Sequence, residues 1–271
     1  MSTADTTPPS AHDTAPEHGA VSGGRCLALE IAVVSTAGAV IARDGGADRI
    51  ELCAALELGG VTPSQGLVEA AVATGIPVHA LVRSRPGDFH YDDDDIDTML
   101  REVRSIAAAG VAGVVVGALR LDGTLDETVI GRFVDVARQT APGIEVTVHR
   151  AIDRTADPVV AAGTLPRLGV TRVLTSGGAP VAPAGIDTLA RMVLAAEGVQ
   201  VQAGGGVSPE DVGALAATGL AAVHLSAKRR APVRPTTTRA GRVPMGAQDD
   251  VHSVTDPSVV AAARRAVDAL R

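Results

Sequence analysis

Aromatic side chains and lysine are almost missing from this sequence. Phenylalanine, tyrosine and tryptophan together make up 1% of the 271 residues, tryptophan is absent, and Lys228 is the only lysine. A bias of coding toward alanine, glycine, valine and arginine accounts for this, and composition of this kind specifies function only weakly. We therefore draw no function from it.

A net basic charge and long apolar runs are also lacking, and the pattern of the first residues is not the one we expect of a signal peptide. The net charge is −7 and the isoelectric point is near 5.5, so no basic field attracts nucleic acid or anionic lipid. No apolar run reaches the roughly 18 residues that span a bilayer, and the N-terminus is polar, acidic and proline-rich. We expect a cytoplasmic protein that binds neither nucleic acid nor membrane.

Cysteine is scarce as well, because Cys26 and Cys53 are the only two. Two thiols are too few for a disulfide framework or a four-thiolate zinc site, and they suit a reducing compartment. Cys26 precedes the first predicted strand and Cys53 ends the second, so we expect the thiols to lie roughly 15–20 Å apart. At that separation they share neither a disulfide nor a metal ion.

From Leu27 onward, short Val/Ile/Leu runs alternate with longer alanine-rich stretches of helical period, which is typical of repeated βα units around a parallel sheet. A chain of this length suits one (β/α)₈ barrel, the TIM barrel of the α/β class. The predicted strands are residues 27–34, 49–53, 77–83, 113–118, 145–150, 172–176, 199–203 and 221–226. Residues 1–25 are poor in large apolar side chains, so we expect a disordered tail followed by one barrel domain, 26–271.

Capping residues beside prolines mark helix starts at 62–64, 157–158 and 208–211. Residues 228–254 carry Pro, Thr, Arg and Gly without a period and are too many for an ordinary loop. We expect this long loop to be a mobile flap over the barrel mouth or to be partly disordered. A last helix over residues 257–270 then closes the ring.

The alternation of side chains along each strand predicts a polar barrel interior. Ile50 and Leu52 must face the apolar helix layer, which turns Glu51 inward. The same argument turns a set of eight side chains inward: Glu30, Glu51, Cys53, Arg83, His149, Gln202, His224 and Ser226. A buried charge without a partner costs on the order of several kcal/mol, so these groups must pair with one another, with water or with a ligand.

Two interpretations of this inward set stay open. Glu30, Glu51 and Arg83 could form a structural ion network, with the histidines as hydrogen-bonded core residues. Most of the set, however, lies near strand C-termini, where TIM barrels build their sites, and could supply an acid, a base and an anion clamp. The glycine-rich turns at 176–178 and 204–206 could bind phosphate or could merely form tight turns.

Several motifs, in this order, resemble the CutC family over residues 27–227. They are LEIAVVS (29–35), GGADRIELCAALELGGVTPS (45–64), VHALVRSRPGDFHY (78–91), HRAID (149–153), RVLTSGG (172–178), AGGGV (203–207) and VHLSA (223–227). The resemblance implies a cytoplasmic TIM-barrel protein, often oligomeric and here expected to be a homodimer, named for a role in copper tolerance and trafficking. The family's mouth residues fall on Glu30, Glu51, Cys53, Arg83, Asp88, His149, Arg150, Asp153, Ser176, His224 and Ser226.

The sequence departs from this family in the first strand. Many members carry a cysteine there, where this chain has Ala32 and Val33. Copper(I) prefers thiolate and thioether ligands, so the missing thiol weakens a copper site. If copper is the cofactor, the candidate ligands are Cys53, His149 and His224.

The competing hypothesis is an enzyme that acts on a small anionic or phosphorylated metabolite by acid/base chemistry. Its candidate catalytic residues are Glu30, Glu51, Arg83, His149 and Asp153. Its candidate ligand-binding residues are Asp88, Arg150, Ser176, Gly177, Gly204, Gly205, His224 and Ser226. An inert scaffold is a third and weaker hypothesis.

Overall fold

The structure is a computed structural model, and it describes residues 27–231 and 252–271. The predicted tail, Cys26 and the middle of the predicted long loop lie outside the described residues. Within the described ranges, no helix is both long and apolar enough to cross a membrane.

Eight parallel strands form a closed barrel, and each strand pairs with its neighbours in chain order until β8 pairs with β1. The strands are β1 Ala28–Val33, β2 Arg49–Leu52, β3 Val78–Leu81, β4 Gly113–Val116, β5 Glu145–Val148, β6 Arg172–Thr175, β7 Gln200–Gly204 and β8 Ala222–Leu225. No strand end differs from its predicted position by more than two residues. The (β/α)₈ fold predicted from the sequence is therefore confirmed.

Helices alternate with the strands and surround the barrel. They are α1 Thr36–Asp44, α2 Gln65–Val72, α3 Asp93–Ala108, α4 Glu127–Thr140, α5 Pro158–Ala162, α6 Leu165–Leu168, α7 Ile186–Ala195, α8 Val212–Ala216 and α9 Pro257–Asp268. Ser64 caps α2 and Asp157 caps α5, where a side-chain oxygen accepts from free backbone N–H groups. At Ser208 the predicted start is a short 3₁₀ turn, Pro209–Asp211, which leads into α8.

The apolar core lies between the barrel wall and the helices. Outward-facing strand residues such as Leu29, Ile50 and Val146 are fully buried in one cluster with the inner faces of the helices. A second, smaller cluster of Cys53, Leu81 and Val115 lies inside the barrel. Since apolar side chains occupy the outer face, the polar strand residues point inward, as the parity argument predicts.

The predicted long loop 228–254 needs a correction at its two ends. Lys228–Arg230 forms a strand, β9, that pairs antiparallel with β10, Ser253–Thr255. Three-residue strands are too short to show an alternating pattern, so the sequence could not reveal them. The Ser253 backbone N–H also donates to the carboxylate of Glu57, which ties this strand pair to the loop after β2.

Candidate functional site

A cavity of about 210 Å³ opens at the C-terminal mouth of the barrel. Its polar lining residues are Glu51, Arg83, His149, Arg150, His224 and Ser226, and its apolar ones are Leu56, Leu81, Phe89, Leu174 and Val207. Gly59, Gly205 and Gly206 complete the wall. These groups come from the ends of different strands and the loops that follow them, which is where sites of this fold are built.

Glu30 lies below this cavity and joins three side chains. Its carboxylate accepts from Arg49 Nε at 2.5 Å and from Gln202 Nε2 at 2.5 Å, and it lies 2.8 Å from His224 Nδ1. Burial alone would raise the pKa of Glu30, but the hydrogen bond from His224 and the charge of Arg49 outweigh it and hold the pKa well below its ordinary value. Glu30 is thus a fixed anion, and it does not line the cavity.

Glu51 and His224 meet at the cavity wall, with His224 Nε2 3.7 Å from Glu51 Oε2. Burial raises the pKa of Glu51 to about 7, with His224 opposing the shift and Glu30 adding to it. Burial would lower the pKa of His224, but Glu51 and Glu30 raise it above the ordinary value. Glu51 is therefore a carboxyl group that gains and loses a proton near neutral pH, beside an imidazole that favours its charged form.

Arg83 contacts carbonyl groups instead of the carboxylates with which it could have formed an ion network. Nη1 donates to the backbone oxygens of Leu58 and Gly60, at 3.2 and 2.8 Å, and Nη2 donates to that of Gly87 at 2.8 Å. Arg83 is 5% exposed, and its Nε–H has no hydrogen-bond partner in the described part of the chain. The guanidinium fork thus fixes two loops and leaves the buried Nε–H of this cavity-lining residue without an acceptor in the described part of the chain.

His149 supplies a second unpartnered donor. Its Nδ1 accepts from the backbone N–H of Ala151 at 3.1 Å, so the proton of the neutral ring lies on Nε2. Burial, with help from the charge of Arg83, lowers the pKa of His149 to about 3. His149 is 5% exposed and Nε2 has no partner among the described residues, so the ring presents a neutral N–H donor at neutral pH.

Phe89 holds these two donors together, and sequence reasoning missed it. Its ring lies 5.0 Å from the guanidinium carbon of Arg83 and 4.9 Å from the centroid of the His149 ring. The guanidinium of Arg154 lies 5.3 Å from the same ring. The sequence has only two phenylalanines, and Phe89 is in a loop that follows a barrel strand. That position could have indicated that its ring packs against residues of the site.

Asp153 lies in a closed hydrogen-bond network beside the cavity. It accepts from Arg150 Nε, from the hydroxyls of Thr175 and Ser176, and from the backbone N–H groups of Ser176 and Gly178. Ser176 also accepts from Arg150 Nη2 at 2.8 Å. These contacts support a positioning role for Asp153 and Ser176, because neither lines the cavity, and they hold Arg150 at its rim.

The backbone of the glycine-rich turns packs closely against neighbouring side chains and backbone atoms. A Cβ on Gly205, whose φ is +102°, would lie 2.7 Å from Arg150 Nη1, so only glycine lets the arginine cross this turn. Gly177 packs on the backbone of Gly185, and Gly204 packs on Leu174 and His224. The backbone N–H of Ser208 donates to Asp211 at 2.8 Å, so this helix start supplies its own anion.

Two predicted ligand-binding residues remain. Asp88 is exposed, contacts Arg85 and the backbone N–H of His90, and does not line the cavity. Ser226 does line the cavity.

A second polar group at the N-terminal end of the barrel was missed. Arg172 bonds to Glu145 at 2.7 Å and to Gln200 at 2.8 Å beside a cavity of about 570 Å³ that Arg49 also lines. Two arginines face the carboxylates Glu145 and Glu30, so the charges balance, which is typical of the stabilising end of this fold. Strand parity could have found them, because Arg49 lies two residues before Glu51 and so shares its face.

The three candidate copper ligands do not form a metal site. Cys53 packs with Leu81 and Val115, burial raises its thiol pKa further above the ordinary value, and the residue does not line the cavity. Within residues 27–231 and 252–271 no three His, Cys, Asp or Glu side chains are grouped to hold a metal ion. The donor set does not fit copper(I), which favours exposed thiolates and thioethers.

Comparison with known proteins identifies one family. The CutC family model matches residues 27–229. The chain is 38% identical over 246 residues to a family protein CutC of Sinorhizobium medicae, covering 90% of this chain and 97% of the relative. It is 45% identical over 190 residues to a family protein CutC of Agrobacterium fabrum, and the match covers 70% of this chain and 74% of the relative. A solved structure, the proposed copper homeostasis protein CutC of Streptococcus agalactiae, aligns with TM-score 0.67 at 24% identity over 74% of this chain and 98% of that one.

Proposed function

This chain belongs to the CutC family, and we propose that it is an enzyme that transfers a proton on a small anionic metabolite in the cavity at the barrel mouth. In this proposal Glu51 gains and loses the proton, and Arg83 and His149 bind an oxygen of the metabolite. Glu30 positions His224, and Asp153 positions Arg150. The cavity of about 210 Å³ is below the roughly 300–1,000 Å³ typical of drug-sized ligands, which favours a small molecule.

One observation carries the proposal: two unpartnered N–H donors, each 5% exposed, line the same cavity as a carboxyl group whose pKa is raised to about 7. A buried donor without an acceptor costs roughly 1–3 kcal/mol, so folding alone does not account for two of them in one cavity. A bound oxygen atom would satisfy both. A carboxyl group with a pKa near the working pH suits general acid/base catalysis.

Copper binding or trafficking is the alternative, because a solved relative is described as a proposed copper homeostasis protein. The groups at the mouth are carboxylates, imidazoles and guanidinium, whereas copper(I) prefers sulfur. Cys53, the thiol that copper would need, is buried against Leu81 and Val115. This donor set favours the enzyme over the copper carrier.

Calorimetric titration with oxalate and with orthophosphate tests the proposed anion site. Wild-type protein should bind at least one of these anions with one-to-one stoichiometry. Arg83→Lys and His149→Asn should each weaken binding about 10- to 100-fold, since a hydrogen bond to a charged group contributes about 1.5–3 kcal/mol. Glu51→Gln should retain binding, because it removes a negative charge but no donor.

Arg154→Ala is the matched control. Arg154 lies on the same Phe89 ring as Arg83 but does not line the cavity, so its loss removes a nearby positive charge and no donor. Binding that weakens equally in Arg154→Ala and Arg83→Lys would indicate general charge attraction only. No binding of either anion by the wild-type protein would contradict the proposed site.

We also propose that the protein works in the cytoplasm as a homodimer, as the family resemblance implies. Sedimentation equilibrium tests the dimer, which should have about twice the chain mass of 27.2 kDa. A single species at the mass of one chain would contradict it.

A further inference from the structure

The two donors at the mouth differ from a phosphate clamp. Arg83 turns both terminal nitrogens onto backbone carbonyls, so it offers the cavity a single N–H from Nε. His149 offers one N–H from a neutral ring. A phosphate dianion favours the guanidinium fork, which binds two oxygens at once. Two single donors suit one oxygen atom that gains partial negative charge.

The donors and the proton-transfer group lie on opposite sides of the barrel. Arg83 follows β3 and His149 follows β5, so they flank β4, where Gly117 leaves room for the imidazole: a Cβ there would lie 2.5 Å from the ring. Glu51 on β2 and His224 on β8 meet above β1, which lies across the eight-stranded ring from β5. A small molecule between them has its oxygen near β4 and a neighbouring atom near Glu51.

Glu51 is free to act as the base. No hydrogen bond to its carboxyl group is found in the described part of the chain, and its nearest ionic neighbour is His224 at 3.7 Å. The charged groups that act on Glu51 are His224 on β8 and Glu30 on β1, its register partner on β3 is His79, and Arg83, His149 and Arg150 line the same cavity. Glu30 binds His224 Nδ1, so Nε2 stays directed at Glu51 and can share a proton with it.

Other modes of catalysis lack their groups at this cavity. Lys228, the only lysine, is exposed in β9 and does not line the cavity, so Schiff-base chemistry has no amine there. Cys53 does not line it either. Ser226 does, but within the described residues no imidazole bonds to its hydroxyl, as an activated serine would require.

We infer that the substrate is a small carbonyl compound with a hydrogen on the carbon next to the carbonyl and a permanent negative charge, and that the protein converts it reversibly to its enolate. This inference rests on the proposed function. Glu51 takes the proton from carbon, the C–H electron pair forms the C=C bond, and the C=O π pair moves onto oxygen. Arg83 Nε–H and His149 Nε2–H stabilise that oxyanion.

The reaction ends when Glu51 returns its proton to the same carbon. Where that carbon carries a hydroxyl group, Glu51 can instead protonate the former carbonyl carbon: the C=C pair forms the new C–H bond, the hydroxyl group loses its proton as its oxygen forms the new C=O bond, and the oxyanion gains a proton, so no oxidant or reductant is consumed. Arg150 lies at the rim with 40% of its side chain exposed and can face the permanent negative charge. Phe89 and Leu174 give the cavity an apolar wall beside its polar groups.

Proton exchange in D₂O, followed by NMR, tests this inference with pyruvate and dihydroxyacetone phosphate as the probes. Wild-type protein should replace the C–H protons of at least one probe with deuterium well above the buffer rate. Glu51→Gln should lower the protein-dependent rate at least about 100-fold, since general acid/base catalysis contributes about 10²–10⁴. His149→Asn and Arg83→Lys should lower it as well.

Glu57→Gln is the matched control, because Glu57 is a carboxylate in the loop after β2 that does not line the cavity. The Glu57→Gln variant should catalyse proton exchange at the wild-type rate. Circular dichroism checks that each variant is folded, and Glu51→Asp replaces Glu51→Gln if the latter is not. Exchange by wild type no faster than by the Glu51 variant, for both probes, overturns the inference. If proton exchange is absent but the wild-type protein still binds oxalate, the enolate inference fails and the proposed function stands. If neither exchange nor oxalate binding is found, the inference and the proposed function are both refuted.

Discussion

Replacing Glu30 with glutamine should destabilise the barrel more than any change at its surface. Glu30 is 4% exposed and is the only acidic group that bonds to Arg49, at 2.5 Å, among the described residues. The substitution keeps the shape of the side chain but removes its charge. The single oxygen of the new glutamine can accept from Arg49 or from His224 but not from both, so one of them loses its acceptor, and Arg49 loses its charged partner in either case.

The expected loss is about 3–5 kcal/mol, the cost of leaving one member of a buried ion pair without its partner. The pKa of Glu30 is lowered by folding, so its contribution is present above the unfolded value of about 4.3 and is lost as the pH falls through the folded pKa. The pKa of His224 is raised, so that contribution is full below about 6.5 and fades as the pH rises through the folded value. The effect of Glu30→Gln should therefore be largest between about pH 4.3 and 6.5.

Urea denaturation of wild type and variant, repeated at several pH values, measures this difference. Asp97→Asn is the matched control, because it makes the same chemical change in the exposed ion pair with Arg101 and should leave the unfolding midpoint unchanged. A loss below about 1 kcal/mol in Glu30→Gln, the value of a surface pair, would refute the account of Glu30 as a buried anchor.

Three further predictions concern the mouth and the thiol. Gly117→Ala should displace the His149 ring, whose nearest atom would lie 2.5 Å from the new Cβ, and calorimetry should show oxalate affinity reduced at least about tenfold; unchanged affinity would contradict the ring's role. Because the pKa of His149 is lowered to about 3, ¹⁵N NMR should find its ring neutral with the proton on Nε2 from pH 5 to 9, and a titration near 6.5 would show that the burial argument is wrong. In reducing buffer, wild type and Cys53→Ser should both release Cu(I) to a chelator of known affinity; retention that disappears in Cys53→Ser would support copper trafficking.

The barrel and its polar interior could be predicted because both depend on local patterns. Alternation along each strand puts Ile50 and Leu52 outside, and Glu51 must then face inward. The same rule applies to Arg49 and Arg172, whose place in the interior follows once the strand boundaries are known. The alternation along a strand thus predicts the face of the sheet on which a side chain lies.

The choice of hydrogen-bond partner could not be predicted. Arg83 is directed inward, as expected, but the carbonyls that occupy its fork come from loops after β2 and β3, whose conformation no strand pattern encodes. The tautomer of His149 depends in the same way on the backbone N–H of Ala151 in the turn that follows. Asp153 is predicted from the sequence as a catalytic carboxylate, but the five donor groups that surround it in the structure could not be predicted from that pattern.

A crystal structure of the protein soaked with oxalate tests the central claim most directly, because the claim concerns what Arg83 and His149 bind. We predict one oxalate oxygen within about 3 Å of both Arg83 Nε and His149 Nε2, with a second oxygen facing Glu51. Oxalate bound elsewhere, with both donors occupied by water, would contradict the assignment of this cavity as the site that binds and deprotonates a small anionic metabolite.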